Sequence, residues 1–303
     1  MTESVLKTAM LADAALAKGP QLLTPSALAK SAAAAPNSGT PTLTIVHPKA
    51  GTSFSIDPTP AMPVIKCQAQ IVGIAPDPTP TTAFNWLIEI IEPQKRGSCA
   101  SAGVFCGYQE PGHGLLGGTW TPSLVAFRGG EARIRVTTTV GGVRLEAETR
   151  VMITGTNPPH ADIVKMCGGN ATDIARIACH ESGMQQFAGG FPLLGGGGDT
   201  GIMQLCNPAA TCDERWNWRA NVERGVSVFN QKKAAARQYL DTHKIDGKWP
   251  NDMGLSNDQV LQREAITQYN GGSFWKWDEG KAKWIANPPP QEYFKKVMAA
   301  SCP

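Results

Sequence analysis

A glutamate falls where a helix should bury its apolar face. Ile174, Ile177, Ala178 and Glu181 sit at i, i+3, i+4 and i+7, so they share one side of a helix. Gly183 follows where such a helix stops. A carboxyl group taken out of water favours its neutral form, so its pKa rises. A glutamic acid that stays protonated near neutral pH can hand a proton to a leaving oxygen, which glycosidic cleavage requires. Next comes a loop with Gly189, Gly190 and the run Gly195 to Gly198, whose backbone can approach a ligand closely. A short apolar segment, Ile202-Met203-Gln204-Leu205, ends before Pro208. Taken by itself, a glutamate at a helix end serves equally as a cap partner or a solvated charge.

Four blocks in order alter that balance. They are Glu181-Ser182-Gly183, then Gly201-Ile202-Met203-Gln204-Leu205 with Pro208, then Asn221-Val222-Glu223-Arg224-Gly225, then Tyr269-Asn270-Gly271-Gly272. Their order resembles the soluble lytic transglycosylase family, over about residues 160–300. The resemblance implies a mainly helical, lysozyme-like domain around a peptidoglycan groove. It implies Glu181 as the catalytic residue, with Ser182, Met203, Gln204, Tyr269 and Asn270 along the substrate. It also implies cleavage of the β-1,4 bond between N-acetylmuramic acid and N-acetylglucosamine. One carboxyl suffices for a lytic reaction, because the attacking hydroxyl belongs to the sugar. A hydrolase typically needs a second carboxylate to activate water or to form a covalent intermediate. Asp199, just before the GIMQ segment, is the candidate, and the Gly-Asp-x-Gly run there is similar to goose-type lysozymes. The alternative for Asp199 is a turn residue. A tetraglycine replaces the family's serine-containing approach to this block, so hydrolase and transglycosylase both stand.

The elements that position these residues divide the chain. We expect an Ala-rich lead and linker over 1–41, a β-sandwich over 42–156 and a lysozyme-like domain over 157–303. The first expectation is a short helix over Val5–Ala17, interrupted by Lys7 and Asp13. From Thr42 the pattern alternates: LTIVH, the stretch Val64–Val72, FNWLIEII, ARIRVTTTV and VRLEAETRVMI. The last two meet at Gly141-Gly142, a hairpin signal. Strands without intervening helices indicate a sandwich. Cys67 followed by Trp86 resembles the immunoglobulin arrangement, although a partner cysteine on the later strand is missing. Thr156-Asn-Pro-Pro-His160 marks the boundary. In the second part Asn170 or Thr172 can cap the helix that carries Glu181. Val222 to Leu240 gives a long amphipathic helix. Ser256 to Gln259 reads as a capping box for a helix ending at Tyr269. QEYFKKVMAA, after Pro288–Pro290, gives a last one. Trp275, behind the YNGG block, is the aromatic residue expected to meet sugar in the groove.

Composition narrows the rest. Hydrophobic residues make up 42% and charged residues 17% of 303, which suits folded domains. A net charge of +3 without a basic cluster gives no footprint for nucleic acid. No apolar run is long enough to span a bilayer. No metal or organic cofactor is implied, since neither CxxC pairs nor His-rich spacing occur. The eight cysteines point to an oxidising compartment. Cys99 with Cys106, and Cys206 with Cys212, could each close a short loop, and a bridge between the halves is the alternative. The lead does not read as a cleavable signal. Together these suggest an exported protein acting in a periplasm or cell wall, by a route such as type VI secretion or a phage. Its partners would be glycan strands, with a secretion-apparatus or immunity protein through the β domain or groove. The readings carried forward are an antibacterial or wall-remodelling transglycosylase, a muramidase using Asp199, and a glycan-binding or structural module without turnover.

Overall fold

The computed structural model describes residues 40–73, 82–92, 106–169, 172–250 and 254–302. The helix expected over Val5–Ala17, most of the linker ending at residue 41, Cys99 and Asn170 lie outside the described residues. The chain contains both sheets and helices, strands first. In order these are β1 Thr42–His47, β2 Ser53–Ile56, β3 Cys67–Val72, β4 Ala83–Ile91, β5 Tyr108–Leu116, β6 Thr119–Trp120, β7 Gly130–Val140 and β8 Val143–Gly155. They make one sheet in the order β1-β3-β6 and another in the order β2-β8-β7-β4-β5. β2 lies parallel to β8, and the other pairs are antiparallel.

Alternation does what the period-2 pattern requires. In β7, Ala132, Ile134 and Val136 are buried, while Arg133 and Arg135 reach Glu148, Glu89 and Glu146. Gly141 and Gly142 form the two-residue turn to β8 with φ of 55° and 81°. Both values lie where side chains other than glycine are disfavoured, and they match the strand twist. Leu43, Cys67 and Ala69 of one sheet share a core with Trp86, Ile88 and Ile134 of the other. Cys67 is a buried free thiol, pushed up to about 12 by desolvation.

The helical part follows. It comprises α1 His160–Met166, α2 Asp173–Ser182, a hairpin of β9 Phe187–Ala188 and β10 Phe191–Pro192, α3 Cys212–Trp216, α4 Trp218–Thr242, α5 Asn257–Tyr269, a hairpin of β11 Trp275–Asp278 and β12 Lys283–Ala286, and α6 Pro288–Ala299. Thr172 caps α2 by accepting from the Ala175 N–H at 3.2 Å. Ser256 and Gln259 exchange side-chain and backbone bonds of 3.3 and 2.9 Å at the start of α5. α6 begins within the proline run rather than after it. Proline has a φ preset for the first helical turn, and the N–H it lacks would be unpaired there anyway. Ile177, Ile202, Met203, Val222, Leu240 and Ile266 anchor a second core.

Residues 41–303 form one compact unit, and the contacts that join the sheets to the helices are specific. Trp216 at the end of α3 and Phe187 of β9 are buried in the β core. Gly129 and Gly155 make room for them, since a Cβ at either would overlap the Trp216 or the Phe187 ring. The Arg215 guanidinium lies 3.4 Å from Glu92, both nearly buried. Arg128 pairs with Asp213, and the Trp218 indole donates to the Pro58 carbonyl at 2.7 Å. The segment at 156–159 is held rather than loose. Asn157 accepts from the Gln186 and Phe187 N–H groups, both at 2.8 Å.

Disulfide pairing corrects one set of expectations. Cys106 bonds to Cys212, with Cα atoms 5.4 Å apart, so neither short loop involving those two forms. The approach to β5 and the start of α3 are simply adjacent in space. This bridge joins the two halves across 106 residues. In the chain-entropy account a loop of that size removes about 4.7 kcal/mol of freedom from the unfolded chain. Cys179 bonds to Cys302, Cys206 is also disulfide-bonded, and Cys167 is a second buried thiol.

Because Trp216 fills the β core from the helical side, Trp216→Ala should cost about 3–5 kcal/mol. Urea unfolding followed by far-UV circular dichroism should show one transition at lower midpoint. Two separated transitions in the parent protein would contradict a shared core.

Candidate active site

α2 carries Glu181 to a boundary between core and solvent. Ala175, Ile177 and Ala178 are buried beneath it. Gly183, at φ 62°, turns the chain away after Ser182. Glu181 itself is half-buried. Tyr293 of α6 donates its hydroxyl proton to Glu181 Oε1 at 2.5 Å. The His180 ring meets the Tyr293 ring edge-on, with centroids 5.3 Å apart. The Cys179–Cys302 bridge ties the end of α6 back to α2, beside both. Burial pushes the Glu181 carboxyl above the usual carboxylate range. The Tyr293 hydrogen bond and His180 pull it down, Asp199 pushes it further up, and the net direction is upward.

Glu181 opens on a cleft of about 320 Å³ that also takes in Asp199, Gln204, Asn207, Lys232, Tyr269 and Asn270. That volume is at the small end of ligand sites. Tyr269 ends α5 and donates to the Met203 carbonyl at 2.8 Å. Burial, with the nearby Glu181 charge, holds its phenol well above the ordinary tyrosine range. Asn270 caps the end of α5. Gln204, at φ 45°, bonds the Gly201 carbonyl at 2.8 Å. A Cβ on Gly195 would overlap both the Asp199 carboxylate and the Gln204 amide, so the glycine at 195 leaves room for these two side chains.

The cleft loop is pinned from beneath by two buried amides. Gln186 accepts from the Ile202 N–H at 3.2 Å and donates to the Glu214 and Arg215 carbonyls at 3.1 and 2.8 Å. Asn221 accepts from the Met203 N–H at 2.9 Å and donates to the Thr200 carbonyl at 3.0 Å. Gly201 is required between them, because a Cβ there would come within 2.6 Å of both amides. Gly225 plays the same part for the Met203 side chain, which fills the space a Cβ would need.

Some expected site residues stand elsewhere. Ser182 Oγ bonds the Ile202 carbonyl at 2.8 Å and the Ala178 carbonyl at 3.1 Å, tying the helix end to the loop rather than lining the cleft. Met203 is fully buried, and its backbone carbonyl accepts from Tyr269. Trp275 is 1% exposed and packs on Phe274 in the core. The β11 hairpin turns its ring inward, which proximity to the YNGG block did not foretell. Tyr293 and Lys232 were not singled out from sequence. Tyr293 reads there only as an apolar position of the last helix. Lys232 follows Gly225 and Val228 at helical spacing, which is a readable signal. Among the described residues no cluster of His, Cys, Asp and Glu could hold a metal.

No family model matches the chain, and no curated protein does. Among solved structures, the PKD domain from human KIAA0319 is 15% identical over 43% of this chain and 96% of that one, with a TM-score of 0.24. The endo-beta-1,4-mannanase from Thermotoga petrophila is 12% identical over 39% of this chain and 20% of that one, with a TM-score of 0.21. An engineered protein is 13% identical with a TM-score of 0.24, and the match spans about a fifth of its length (21%). Similarity this slight carries no argument about fold or function.

The geometry yields two expectations. In Tyr293→Phe the carboxylate loses a donor, so Glu181 should titrate higher than in the parent, read by carboxyl-carbon NMR. A downward shift would contradict the contact. A raised folded pKa means that the folded state holds its proton more tightly than the unfolded chain. Glu181 therefore costs stability as pH rises from the unfolded value, about 4.3, through its folded value. Glu181→Gln should melt higher than the parent at pH 7, and this advantage should fade below about pH 4. An equal or lower melting temperature at pH 7 would refute the burial argument.

Proposed function

We propose that this protein cleaves the glycan strand of peptidoglycan at the β-1,4 bond between N-acetylmuramic acid and N-acetylglucosamine. The helical half is then lysozyme-like and the β half immunoglobulin-like. The observation that carries the reading is Glu181: a half-buried carboxyl with a raised pKa, facing a cleft lined by Asp199, Gln204, Tyr269 and Asn270. A carboxyl held above its usual range keeps its proton to higher pH, which suits a general acid. Tyr293 holds one carboxyl oxygen, Oε1.

In the lytic route, Glu181 donates its proton to the glycosidic oxygen as the C1–O bond breaks. The resulting carboxylate then takes the proton from the sugar's 6-hydroxyl as that oxygen bonds to C1. The product carries a 1,6-anhydro ring, Glu181 is again protonated, and no water is consumed. Asp199 in the same cleft favours a second reading. There a water oxygen attacks C1 while Asp199 accepts its proton, giving a reducing end; Asp199 then releases that proton to solvent as Glu181 takes one up. Lys232, the cation of the cleft, suits the carboxylates of the stem peptides. The disulfides suit an oxidising compartment, so the reading places the protein in a periplasm or wall, as an antibacterial or remodelling agent. No described helix is long and apolar enough to cross a membrane.

Mass spectrometry of soluble products from purified peptidoglycan tests this directly. Anhydro-muropeptides, falling about 10²- to 10⁴-fold in Glu181→Gln, are the expected result. Reducing-end products that vanish in Asp199→Asn would shift the assignment to a muramidase. No products from the parent, with glycan binding intact, would leave a binding module.

A further inference from the structure

A second concavity, of about 870 Å³, opens on the β half. Phe54, Leu115 and Trp120 form its apolar surface, and Val64, 68% exposed, stands on its wall. Trp120 is half-buried and held in place. Its ring stacks on buried Trp86 with centroids 6.0 Å apart. Gly112 lies against it, where a Cβ would come within 2.6 Å of the indole nitrogen. A fixed, partly open indole is a surface on which a sugar ring or an apolar side chain can rest at little entropic cost.

The charges around this surface are one-sided. His47, Lys49 and Lys66 line the cleft, and no carboxylate does among the described residues. On the β7–β8 face, by contrast, Arg133, Arg135 and Arg150 sit among Glu89, Glu131 and Glu148. Among the described residues Lys49 and Lys66 have no ion-pair partner. An apolar concavity rimmed by unmatched cations is complementary to a ligand with an apolar body and carboxylates.

We infer that this cleft is a second binding site for the anionic wall polymer, taking a sugar ring or stem-peptide side chain on Trp120 and stem-peptide carboxylates on Lys49 and Lys66. The inference rests on the proposed substrate and adds a site that shares no lining residue with the Glu181 cleft. Each exposed lysine contributes modestly and is screened by salt. The gain comes from tethering, because a polymer held at one site is presented to the other at high local concentration.

Sedimentation with purified sacculi tests the cleft, using the Glu181→Gln chain so that the polymer survives. Adding Lys49→Glu with Lys66→Glu should weaken retention about tenfold at low salt, and less at about 0.5 M, where screening is short-ranged. Val64→Asp, on an exposed wall, should act in the same direction. Sacculi stripped of stem peptides should be retained no better by the parent than by the charge-reversed chain. With Glu181 intact, Lys49→Glu/Lys66→Glu should release products more slowly from sacculi but equally fast from short soluble fragments. Undiminished retention of both variants overturns the inference. So does a parent that sacculi do not retain, which would leave an acidic protein as the occupant. Failure of the enzymatic reading is separately visible, as no muropeptides from the wild-type chain while lysine-dependent sedimentation persists.

Discussion

The backbone of residues 200–203 is buried beneath the cleft, and a buried peptide group must be hydrogen-bonded or costs on the order of 1–3 kcal/mol. Short backbone bridges to Leu193 and Leu205 pair the Gly201 and Thr200 N–H groups, but none serves the Ile202 and Met203 N–H groups. Gln186 and Asn221 do, and Asn221 also donates to the Thr200 carbonyl. Their burial leaves no room for any residue but glycine at 201. The loop that carries Gln204 and leads from Asp199 therefore depends on two amides lying outside the cleft. Removing Gln186 would strip these bonds from the Ile202 N–H and the Arg215 carbonyl, and removing Asn221 would strip them from the Met203 N–H.

The same amides carry the constraint across the molecule. Gln186 donates to the carbonyls of Glu214 and Arg215. The Arg215 side chain pairs with Glu92, and the next residue, Trp216, sits in the β core. A path of direct contacts thus runs from the cleft loop through α3 into the sheets. The Cys106–Cys212 bond closes beside it at the first residue of α3. The β half braces the loop, and glycines at 129 and 155 record how closely the two parts fit.

Sequence carried the local rules well and the long-range ones poorly. Alternation in β7 and β8, the Gly141-Gly142 turn, the Ser256 capping box and the Gly183 stop all follow from neighbouring residues. Glu181, Asp199, Gln204, Tyr269 and Asn270 line one cleft. The two residues within the blocks that turn away, Ser182 and Met203, do so because each block must hold itself down as well as face a ligand. Trp275 was misplaced because its environment is set by the β11–β12 hairpin, two four-residue strands with too little pattern to read. Tyr293 was missed because its partner lies 112 positions away. No local spacing encodes such a contact. The Cys106–Cys212 pairing was open for the same reason.

A raised carboxyl pKa does not by itself mark the site, because three glutamates among the described residues share that property. Glu92, Glu181 and Glu264 are all pushed up by burial. Glu92 is spoken for by Arg215. Glu264 accepts the Phe274 N–H at 2.9 Å and the Gln268 side-chain amide at 2.9 Å, so it organises the turn after Asn270. Glu181 differs in what remains uncommitted. Its described hydrogen bond engages one oxygen, from a tyrosine on another helix, and the carboxyl lines a cleft. Desolvation raises all three, but only the one that still faces space can exchange its proton with a ligand. The distinction lies in geometry and not in the pKa shift, which all three share.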